Sequence, residues 1–214
     1  AHETRTLSRE ECGFRYRTSR FKHEPWLVVV SVRFRLSPPD SAGVAMGSVG
    51  YGELARALGI AVGEAAPAAE VRQAVLALRA RKGMVVDPAD PESRSAGSFF
   101  TNVELPAEEV QLLEERLRAR GLLAAGEEVP TFPTETGKRK VPAAWLVERS
   151  GFRKGDGAGA VGISRKHALA LVHRGGGSAR ELLDLARRVR DGVRGATGLT
   201  LVPEPVFVGA SLDP

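Results

Sequence analysis

Apolar residues recur with two different periods along this chain, and the two periods restrict the folds open to it. Between Pro67 and Arg81, and again after Pro106, apolar residues return every three or four positions, which is typical of helices that bury one face. Over residues 26–36 they alternate with polar residues, which predicts a strand with one buried face. Because helical and strand patterns follow each other along the chain, the predicted class is α/β or α+β.

The remaining elements are predicted from local signals. The last helix begins with a capping box, in which Ser178 is followed three residues later by Glu181. Prolines at the start and glycines just after the end delimit the other helices. The predicted helices cover 67–81, 106–121, 142–151 and 178–193, the further strands cover 167–173 and 199–208, and the loops cover 37–50 and 87–94.

The charge balance and the single cysteine exclude several classes of protein. Lys and Arg number 31 against 26 Asp and Glu, a surplus of +5 that favours anionic partners without singling out nucleic acid. No apolar run approaches the ~18 residues that a membrane span requires, so we do not expect a membrane protein. The single cysteine, Cys12, cannot form an internal disulfide or a zinc site built from several thiolates, which suits a reducing cytosol.

Most short catalytic and metal-binding motifs are missing. The sequence contains no Walker A loop, no His-Glu-x-x-His, no Gly-x-Ser-x-Gly and no glycine-rich dinucleotide fingerprint between a strand and a helix. The glycine-rich stretch 155–160 is predicted to be a connecting loop. On the predicted strand 167–173, His167 and His173 would lie about 20 Å apart, so no metal site is predicted.

Three polar side chains stand in unusual surroundings, and each allows two interpretations. Ser98 lies between Gly97 and two phenylalanines, where it could meet a ligand or cap a turn. Glu204 lies between two prolines in an apolar run. It could be a carboxyl group that holds its proton tightly or an edge-strand glutamate that faces water. Arg17 could bind a carboxylate with its guanidinium fork or belong to the ordinary surface.

Five segments in sequence order resemble one family of enzymes. They are Tyr16-Arg17-Thr18-Ser19-Arg20-Phe21-Lys22, Ala96-Gly97-Ser98-Phe99-Phe100-Thr101-Asn102, Ala143–Glu148, Ser164–Leu169 and Pro203-Glu204-Pro205-Val206. Over nearly the whole chain they are similar to the UDP-N-acetylenolpyruvoylglucosamine reductases, the flavoenzymes that make UDP-N-acetylmuramate for bacterial peptidoglycan. The string Gly-Ser-Phe-Phe with a following Asn is the most specific of these segments.

The resemblance implies a reaction and three catalytic residues. FAD, reduced by NADPH as the hydride donor, passes hydride to the enolpyruvyl group of UDP-N-acetylglucosamine enolpyruvate, and the resulting carbanion is stabilised and protonated. By position, Ser98 resembles the proton donor, while Arg17 and Glu204 resemble the pair that holds and polarises the substrate carboxylate. A guanidinium fork matches a carboxylate, and a hydroxyl donates a proton only where its alkoxide is stabilised.

The resemblance also implies residues that bind the substrate and the flavin. Tyr51 resembles a mobile tyrosine that closes over the uridine diphosphate. Lys82, Asn102 and Lys154 match positions expected to contact the diphosphate or the sugar, and His167 matches a polar residue on the uridine side. Arg79 matches an arginine near the flavin ring.

The same resemblance divides the chain into three parts and gives an α+β fold. Residues 1–95 are expected to be the latter part of a flavin-binding α+β domain, 96–198 a smaller α/β substrate-binding domain, and 199–214 a strand that returns to the flavin domain. Family members carry a long segment before the Tyr16-Arg17 motif, with most of the glycine-rich loops that hold the flavin. We therefore expect this chain to belong to a longer cytoplasmic reductase and to hold flavin poorly by itself.

The alternative is a non-enzymatic module that binds nucleotide sugars or nucleic acid through its basic residues. Such a module would bind polyanions with an affinity that falls steeply with salt, and it would have no redox activity. The adjacent pair Phe99-Phe100 differs from the spaced aromatic side chains of a single-strand binder, so the reductase is the preferred hypothesis.

Overall fold

The computed structural model describes residues 3–157 and 159–213 of the chain. These residues form two compact units, of which the first ends at Met46 and the second begins at Gly47. The domain boundaries predicted at 95/96 and 198/199 both fall inside the second unit and stay predictions. Within the residues described, no helix is long and apolar enough to cross a membrane.

The first unit contains a tight turn and a long extended stretch, but the strand predicted over 26–36 is absent, so that prediction is wrong. Within residues 3–46, the backbone from 27 to 40 forms no regular structure. Its alternating apolar side chains are 64–83% exposed; they are Val28, Val30, Val32, Phe34 and Leu36. A strand forms only where a neighbour satisfies its backbone groups and covers its apolar face, and the described part of this unit supplies neither.

The second unit contains five helices among its described residues. They are α1 Gly52–Leu58, α2 Ala68–Arg81, α3 Ala107–Ala119, α4 Ala143–Arg149 and α5 Ala179–Thr197. The last four confirm the predicted helices. The short helix α1 was not predicted, because it has as few residues as α4 but no proline marks its start.

Local sequence signals explain where these helices begin and end. Helix α5 starts with the predicted capping box, in which Ser178 Oγ accepts a hydrogen bond from the Glu181 amide and the Glu181 carboxylate accepts one from the Ser178 amide. Helix α2 ends at Arg81 and is followed by Lys82 and Gly83. Gly83 takes a φ of +67°, which residues with a side chain rarely adopt.

In the part of the chain that the structure describes, eight short strands form three small sheets. They are β1 Met46–Ser48, β2 Ala65–Pro67, β3 Ser95–Ser98, β4 Val103–Leu105, β5 Phe132–Pro133, β6 Arg139–Val141, β7 Val161–Ile163 and β8 Ala170–His173. Their orders are β1-β2, β3-β8-β7 and β4-β6-β5, and both three-stranded sheets are antiparallel. Helices combined with small antiparallel sheets confirm a mixed α+β class.

Two other predicted strands need correction. The strand predicted over 167–173 begins only at Ala170, so His167 lies in the turn before it rather than on a strand face. The strand predicted over 199–208 reduces to a single bridge between Pro203 and Phe100. Prolines cannot donate to a ladder, and the run contains two of them.

The apolar residues of the second unit form two cores. The larger core joins helices α3, α4 and α5 to the sheets, and its fully buried members include Leu113, Leu117, Leu146, Ile163 and Val189. The smaller core lies between α1 and α2 and consists of Val49, Leu54, Ala55 and Leu78. Strand β3 therefore lies against the larger core, with Phe99 and Phe100 buried directly after it.

Candidate functional site

Ser98 lies at the end of β3, where a segment from the far end of the chain meets the sheet. On one side, Ser98 is opposite Ala170 of β8, and the Phe99 amide donates to the Leu169 carbonyl at 2.8 Å. On the other side, the Glu204 amide donates to the Phe99 carbonyl, also at 2.8 Å. Ser98 and Glu204 are thus carried on adjacent segments, although about a hundred residues separate them in sequence.

The backbone before Ser98 is irregular in a way that favours a functional position. Gly97 has a φ of +78°, and the register between β3 and β8 shifts between Ser95 and Ser98. Such a bulge bends the strand and changes the direction of the side chains that follow it. A residue with a Cβ at position 97 would be strained, because positive φ favours glycine.

Two phenylalanines anchor the segment that carries Ser98. The rings of Phe99 and Phe100 are 3% and 2% exposed, and their centroids lie 5.0 Å apart in an edge-on arrangement. Phe207 approaches Phe99 at 6.1 Å and so fixes the segment after Glu204 to the same core. Buried aromatic contacts of this kind hold the backbone around Ser98 and Glu204 in one arrangement.

Glu204 falls between the two interpretations that its sequence context allowed. Its side chain is neither buried nor exposed. Both flanking residues are prolines, which suits an edge position, and the chain makes a bridge only at Pro203. A half-buried carboxyl group next to the Ser98 segment can contact both a bound ligand and the protein.

Arg17, which belongs to the first unit, lies in a strained turn. The backbones of Arg15 and Thr18 bond to each other at 3.1 and 3.3 Å, and Arg17 between them has a φ of +52°. It is the only residue other than glycine with a positive φ in the part of the chain that the structure describes. Its guanidinium carbon lies 6.0 Å from the ring centroid of Tyr16. Strain at a charged residue is typical of functional positions.

His167 lies within electrostatic reach of Lys82 and of Lys154, which come from two other stretches of the second unit. Burial lowers the pKa of His167 from its ordinary 6.5, and the positive charges of Lys82 and Lys154 lower it further. The acidic side chains of Glu148 and Glu53 act in the opposite direction with smaller effect. The charges of two predicted substrate-binding residues thus act on a third, His167.

The hydrogen bond of His167 defines its tautomer. Its Nδ1 accepts a hydrogen bond from the Leu169 amide at 3.0 Å, so the proton of the neutral ring is on Nε2. The Nε2–H of the neutral His167 ring and the two lysine ammonium groups that act on it are three hydrogen-bond donors. Three donors of this kind suit an anionic ligand such as a diphosphate.

Lys82 also forms an ion pair that a ligand could displace. Its Nζ lies 2.5 Å from Oε2 of Glu53 in α1, and this hydrogen bond is the main cause of the lowered pKa of Glu53. The side chains are 38% and 49% exposed, and such exposed pairs contribute little stability. Tyr51, two residues before Glu53, is 78% exposed at the start of α1. Tyr51 and Lys82 thus lie at neighbouring helix ends.

Asn102 has a structural partner that the sequence did not indicate. Its Oδ1 accepts a hydrogen bond from the Ala143 amide at 2.9 Å, at the first residue of α4. The residue at the N-cap position is Pro142, whose side chain cannot accept such a bond. Asn102 therefore caps α4 from 41 residues away, and its amide nitrogen is the group that could contact a ligand.

The other two predicted residues are exposed. Lys154 lies in a turn in which the Asp156 carboxylate accepts a hydrogen bond from the Arg153 amide at 2.7 Å. Arg79 lies on the exposed face of α2 in its last turn. Because both side chains are already exposed to solvent, each can bind a ligand without first breaking buried contacts.

Gly157, in the glycine-rich stretch after Lys154, packs against the protein's own backbone. A Cβ at Gly157 would lie 2.8 Å from Cα of Gly162. Among the residues described, no three His, Cys, Asp or Glu side chains are grouped so that they could hold a metal ion.

Sequence reasoning missed a buried polar cluster around Glu92. This residue is 5% exposed, and its Oε2 accepts hydrogen bonds from Ser164 Oγ and the Arg165 amide, each at 2.7 Å. In the sequence, Glu92 lies in a loop of Asp, Pro and Ser that predicts exposure. No local signal could have revealed its burial, because its partners are more than 70 residues away.

Comparison with known proteins gives one consistent family. The family model described as "UDP-N-acetylenolpyruvoylglucosamine reductase, C-terminal domain" matches residues 88–208. Proteins named UDP-N-acetylenolpyruvoylglucosamine reductase are 50% identical in Thermobifida fusca over 99% of this chain and 49% identical in Streptomyces avermitilis over 99%. The Mycobacterium tuberculosis protein of that name is 46% identical over 98%. The matches cover 58%, 57% and 56% of these relatives, so the chain spans a little over half their length.

Proposed function

Since the chain belongs to the UDP-N-acetylenolpyruvoylglucosamine reductase family, we propose that it supplies the substrate-binding and proton-donating groups of such a reductase. The reaction reduces the enolpyruvyl group of UDP-N-acetylglucosamine enolpyruvate to give UDP-N-acetylmuramate, for peptidoglycan synthesis in the cytoplasm. The names of the relatives support the reaction, and because the chain spans only part of their length, the activity belongs to the longer protein.

FAD and NADPH are the proposed cofactor and hydride donor of the longer protein. The flavin, when bound, supplies hydride to the terminal carbon of the substrate double bond. Because the chain covers only 58% of the Thermobifida fusca relative, we assign most of the flavin binding to the part of the relatives that the chain does not cover. Arg79, on the exposed face of α2, is the proposed contact of this chain with the flavin.

Ser98 is the proposed proton donor. Addition of hydride to the terminal carbon moves the electron pair of the double bond to the carbon that bears the carboxylate. The Ser98 hydroxyl transfers its proton to that carbon, a C–H bond forms as the O–H bond breaks, and the serine regains a proton from solvent. A serine hydroxyl is a weak acid, so its alkoxide needs stabilising neighbours. The bulge at Gly97 supports a specialised position for this side chain.

Arg17 and Glu204 are the proposed residues that bind and polarise the substrate carboxylate. The guanidinium of Arg17 offers two parallel donors that match a carboxylate. The Glu204 carboxyl is proposed to donate a hydrogen bond to the substrate carboxylate and so to stabilise the charge that develops there. The observation that carries the proposal is the 2.8 Å hydrogen bond from the Glu204 amide to the Phe99 carbonyl, because it supports a shared location for Glu204 and Ser98.

Lys82, Lys154 and His167 are the proposed binding site for the diphosphate of the substrate. The lowered pKa of His167, to which both lysines contribute, supports their proximity. Asn102 is proposed to contact the diphosphate or the sugar through its amide nitrogen while its Oδ1 caps α4. Tyr51, exposed at the start of α1, is proposed to close over the uridine diphosphate.

The two half-reactions of the full-length protein test the role of Ser98. In Ser98→Ala we expect NADPH to reduce the bound flavin at the normal rate, whereas substrate reduction slows by about three orders of magnitude. Ser41→Ala, at an exposed serine of the first unit, is the matched control and should leave both rates unchanged. Equal slowing of both half-reactions would remove Ser98 from this role. A colourless protein that binds oligonucleotides in a salt-sensitive way would instead support the binding-module alternative.

A further inference from the structure

Glu92 is the only charged residue among the buried residues that the structure describes. It comes from the short 3-10 turn Pro91–Ser93. Its Oε2 is satisfied by Ser164 and Arg165, whereas its Oε1 lies 3.8 Å from Nε of Arg174, and neither of these two atoms has a hydrogen-bond partner among the described residues. A buried carboxylate is retained only where several groups stabilise it, so its partners reveal what it organises.

The first segment that Glu92 holds is the turn between β7 and β8. The Ser164 hydroxyl and the Arg165 amide both donate to Glu92, and His167 follows two residues later. A second set of contacts holds the same turn. The Lys166 ammonium pairs with Asp90 at 2.6 Å, and Asp90 Oδ1 accepts a hydrogen bond from the Glu92 amide. The position of the His167 ring therefore depends on Glu92.

The second segment is the loop that follows Lys154. Arg174 pairs with Glu92 and donates hydrogen bonds to the carbonyls of Gly157 and Ile163, at 3.1 and 3.2 Å. The Gly155 amide also donates to the Ile163 carbonyl, at 3.2 Å. Because Arg174 is nearly buried, its guanidinium stays in place only while Glu92 balances its charge.

The third segment is the end of α2. A Cβ at Gly83 would lie 2.8 Å from the Glu92 carbonyl oxygen, so the backbones of these two residues are in close contact. Gly83 directly follows Lys82 and takes the positive φ that ends the helix. The direction of the Lys82 side chain therefore depends on how closely the Glu92 turn packs against it.

We propose that Glu92 is a positioning residue that sets the arrangement of Lys82, Lys154 and His167, and thereby the affinity of this site for a nucleoside diphosphate. The inference rests on the proposed function of these three residues. Each of them lies within a few residues of a group that Glu92 contacts directly or through Arg174, yet Glu92 itself is too buried to touch a ligand. One carboxylate thus joins three stretches that are far apart in sequence.

The test compares Glu92→Asp with a matched variant, Glu114→Asp, in the full-length protein. Aspartate keeps the charge but is one methylene shorter, so it cannot reach Ser164 and Arg165 from the same backbone. Glu114 is a suitable control because its Oε1 also accepts a backbone hydrogen bond, at 2.9 Å, and its Oε2 also pairs with an arginine, at 3.3 Å, within helix α3 and its neighbours. The affinity for UDP is measured by isothermal titration calorimetry.

A second measurement separates positioning from simple loss of stability. The pKa of His167 is followed by NMR in both variants without ligand. In Glu92→Asp we expect this pKa to rise towards its ordinary value, because burial and the two lysines no longer act on the ring from the same distance. Glu114→Asp should leave the pKa of His167 unchanged even where it lowers the melting temperature.

The expected result is a dissociation constant for UDP that rises about tenfold or more in Glu92→Asp and changes by less than about twofold in Glu114→Asp. Unchanged affinity in Glu92→Asp, together with weakened binding in Lys82→Ala or Lys154→Ala, would overturn the positioning role and leave the diphosphate site intact. Unchanged affinity in both lysine variants, or no UDP binding by the unaltered protein, would overturn the proposed site and the inference with it. Ser164→Ala, which removes one donor and keeps every charge, provides the same comparison if Glu92→Asp does not fold.

Discussion

The amide of Glu204 donates a 2.8 Å hydrogen bond to the carbonyl oxygen of Phe99, the residue that follows Ser98. The Thr101 amide donates to the Val202 carbonyl at 2.9 Å, so the two segments run antiparallel for three residues. A short ladder of this kind connects the end of the chain to strand β3. Substitutions at Glu204 and at Ser98 therefore affect the same local structure, and their effects can be compared directly.

Glu204→Gln should separate catalysis from folding in the full-length protein. The glutamine amide is a weaker hydrogen-bond donor than a carboxylic acid and so stabilises the developing charge less, whereas the backbone bond to Phe99 is retained. We expect substrate reduction to slow by about 10²- to 10³-fold, with flavin reduction by NADPH unchanged. Glu128→Gln, at an exposed glutamate, is the control for loss of one negative charge. Equal rates in the two variants would remove Glu204 from the reaction.

Arg17→Gly should affect stability and activity differently. Glycine adopts the φ of +52° without strain, which offsets the flexibility that it adds to the unfolded chain. We therefore expect little change in the free energy of unfolding measured with urea, and a raised KM for the substrate in the full-length protein. Arg15→Gly, two residues earlier and without a positive φ, should lower the free energy of unfolding by about 1 kcal/mol. A larger loss of stability in Arg17→Gly than in Arg15→Gly would contradict the strain argument.

His167 should make both stability and UDP binding depend on pH. Since its pKa in the folded state lies below 6.5, the unfolded chain binds more protons just below pH 6.5, and the free energy of unfolding falls as the pH falls through that range. A bound diphosphate favours the protonated ring, so the affinity for UDP should increase as the pH falls, by at most about tenfold for each unit by which the pKa rises.

The control for the pH effect is His167→Asn, whose side-chain oxygen can still accept the Leu169 amide. Calorimetric titrations between about pH 5.5 and 7.5, roughly one unit on each side of the ordinary histidine pKa, should show a steeper pH dependence of UDP affinity in the unaltered protein than in the variant. The same slope in both proteins would show that another group takes up the proton.

Asn102 allows its structural and ligand-binding roles to be measured separately. Asn102→Ala removes the cap of α4 and leaves the Ala143 amide without its acceptor, so the free energy of unfolding should fall by about 1 kcal/mol. Asn102→Asp keeps an oxygen at that position and should preserve most of the stability, but its charge should weaken UDP binding. Full stability in the alanine variant would show that the hydrogen bond to Ala143 contributes nothing to folding.

Helices were predictable from the sequence where short-range signals agree. The stripe Leu185, Val189 and Val193 behind the capping box at Ser178 identified α5, and its buried face confirms the prediction. The alternation over 26–36 was just as regular, yet the side chains of Val30 and Phe34 are about four-fifths exposed. The difference is physical, because a helix satisfies its own backbone groups and a strand needs a partner from elsewhere in the chain.

The sequence by itself predicted which residues carry the chemistry, since Ser98, Glu204, Lys82 and His167 were identified by motif or by resemblance, and these roles stay predictions. Only the tertiary structure decided which residues lie next to one another. It places Glu204 beside Phe99, lets Asn102 cap α4, and buries Glu92 among Ser164, Arg165 and Arg174. Each of these contacts joins residues tens of positions apart. Their formation depends on chain closure and on desolvation of polar groups, and neither leaves a local pattern in the sequence.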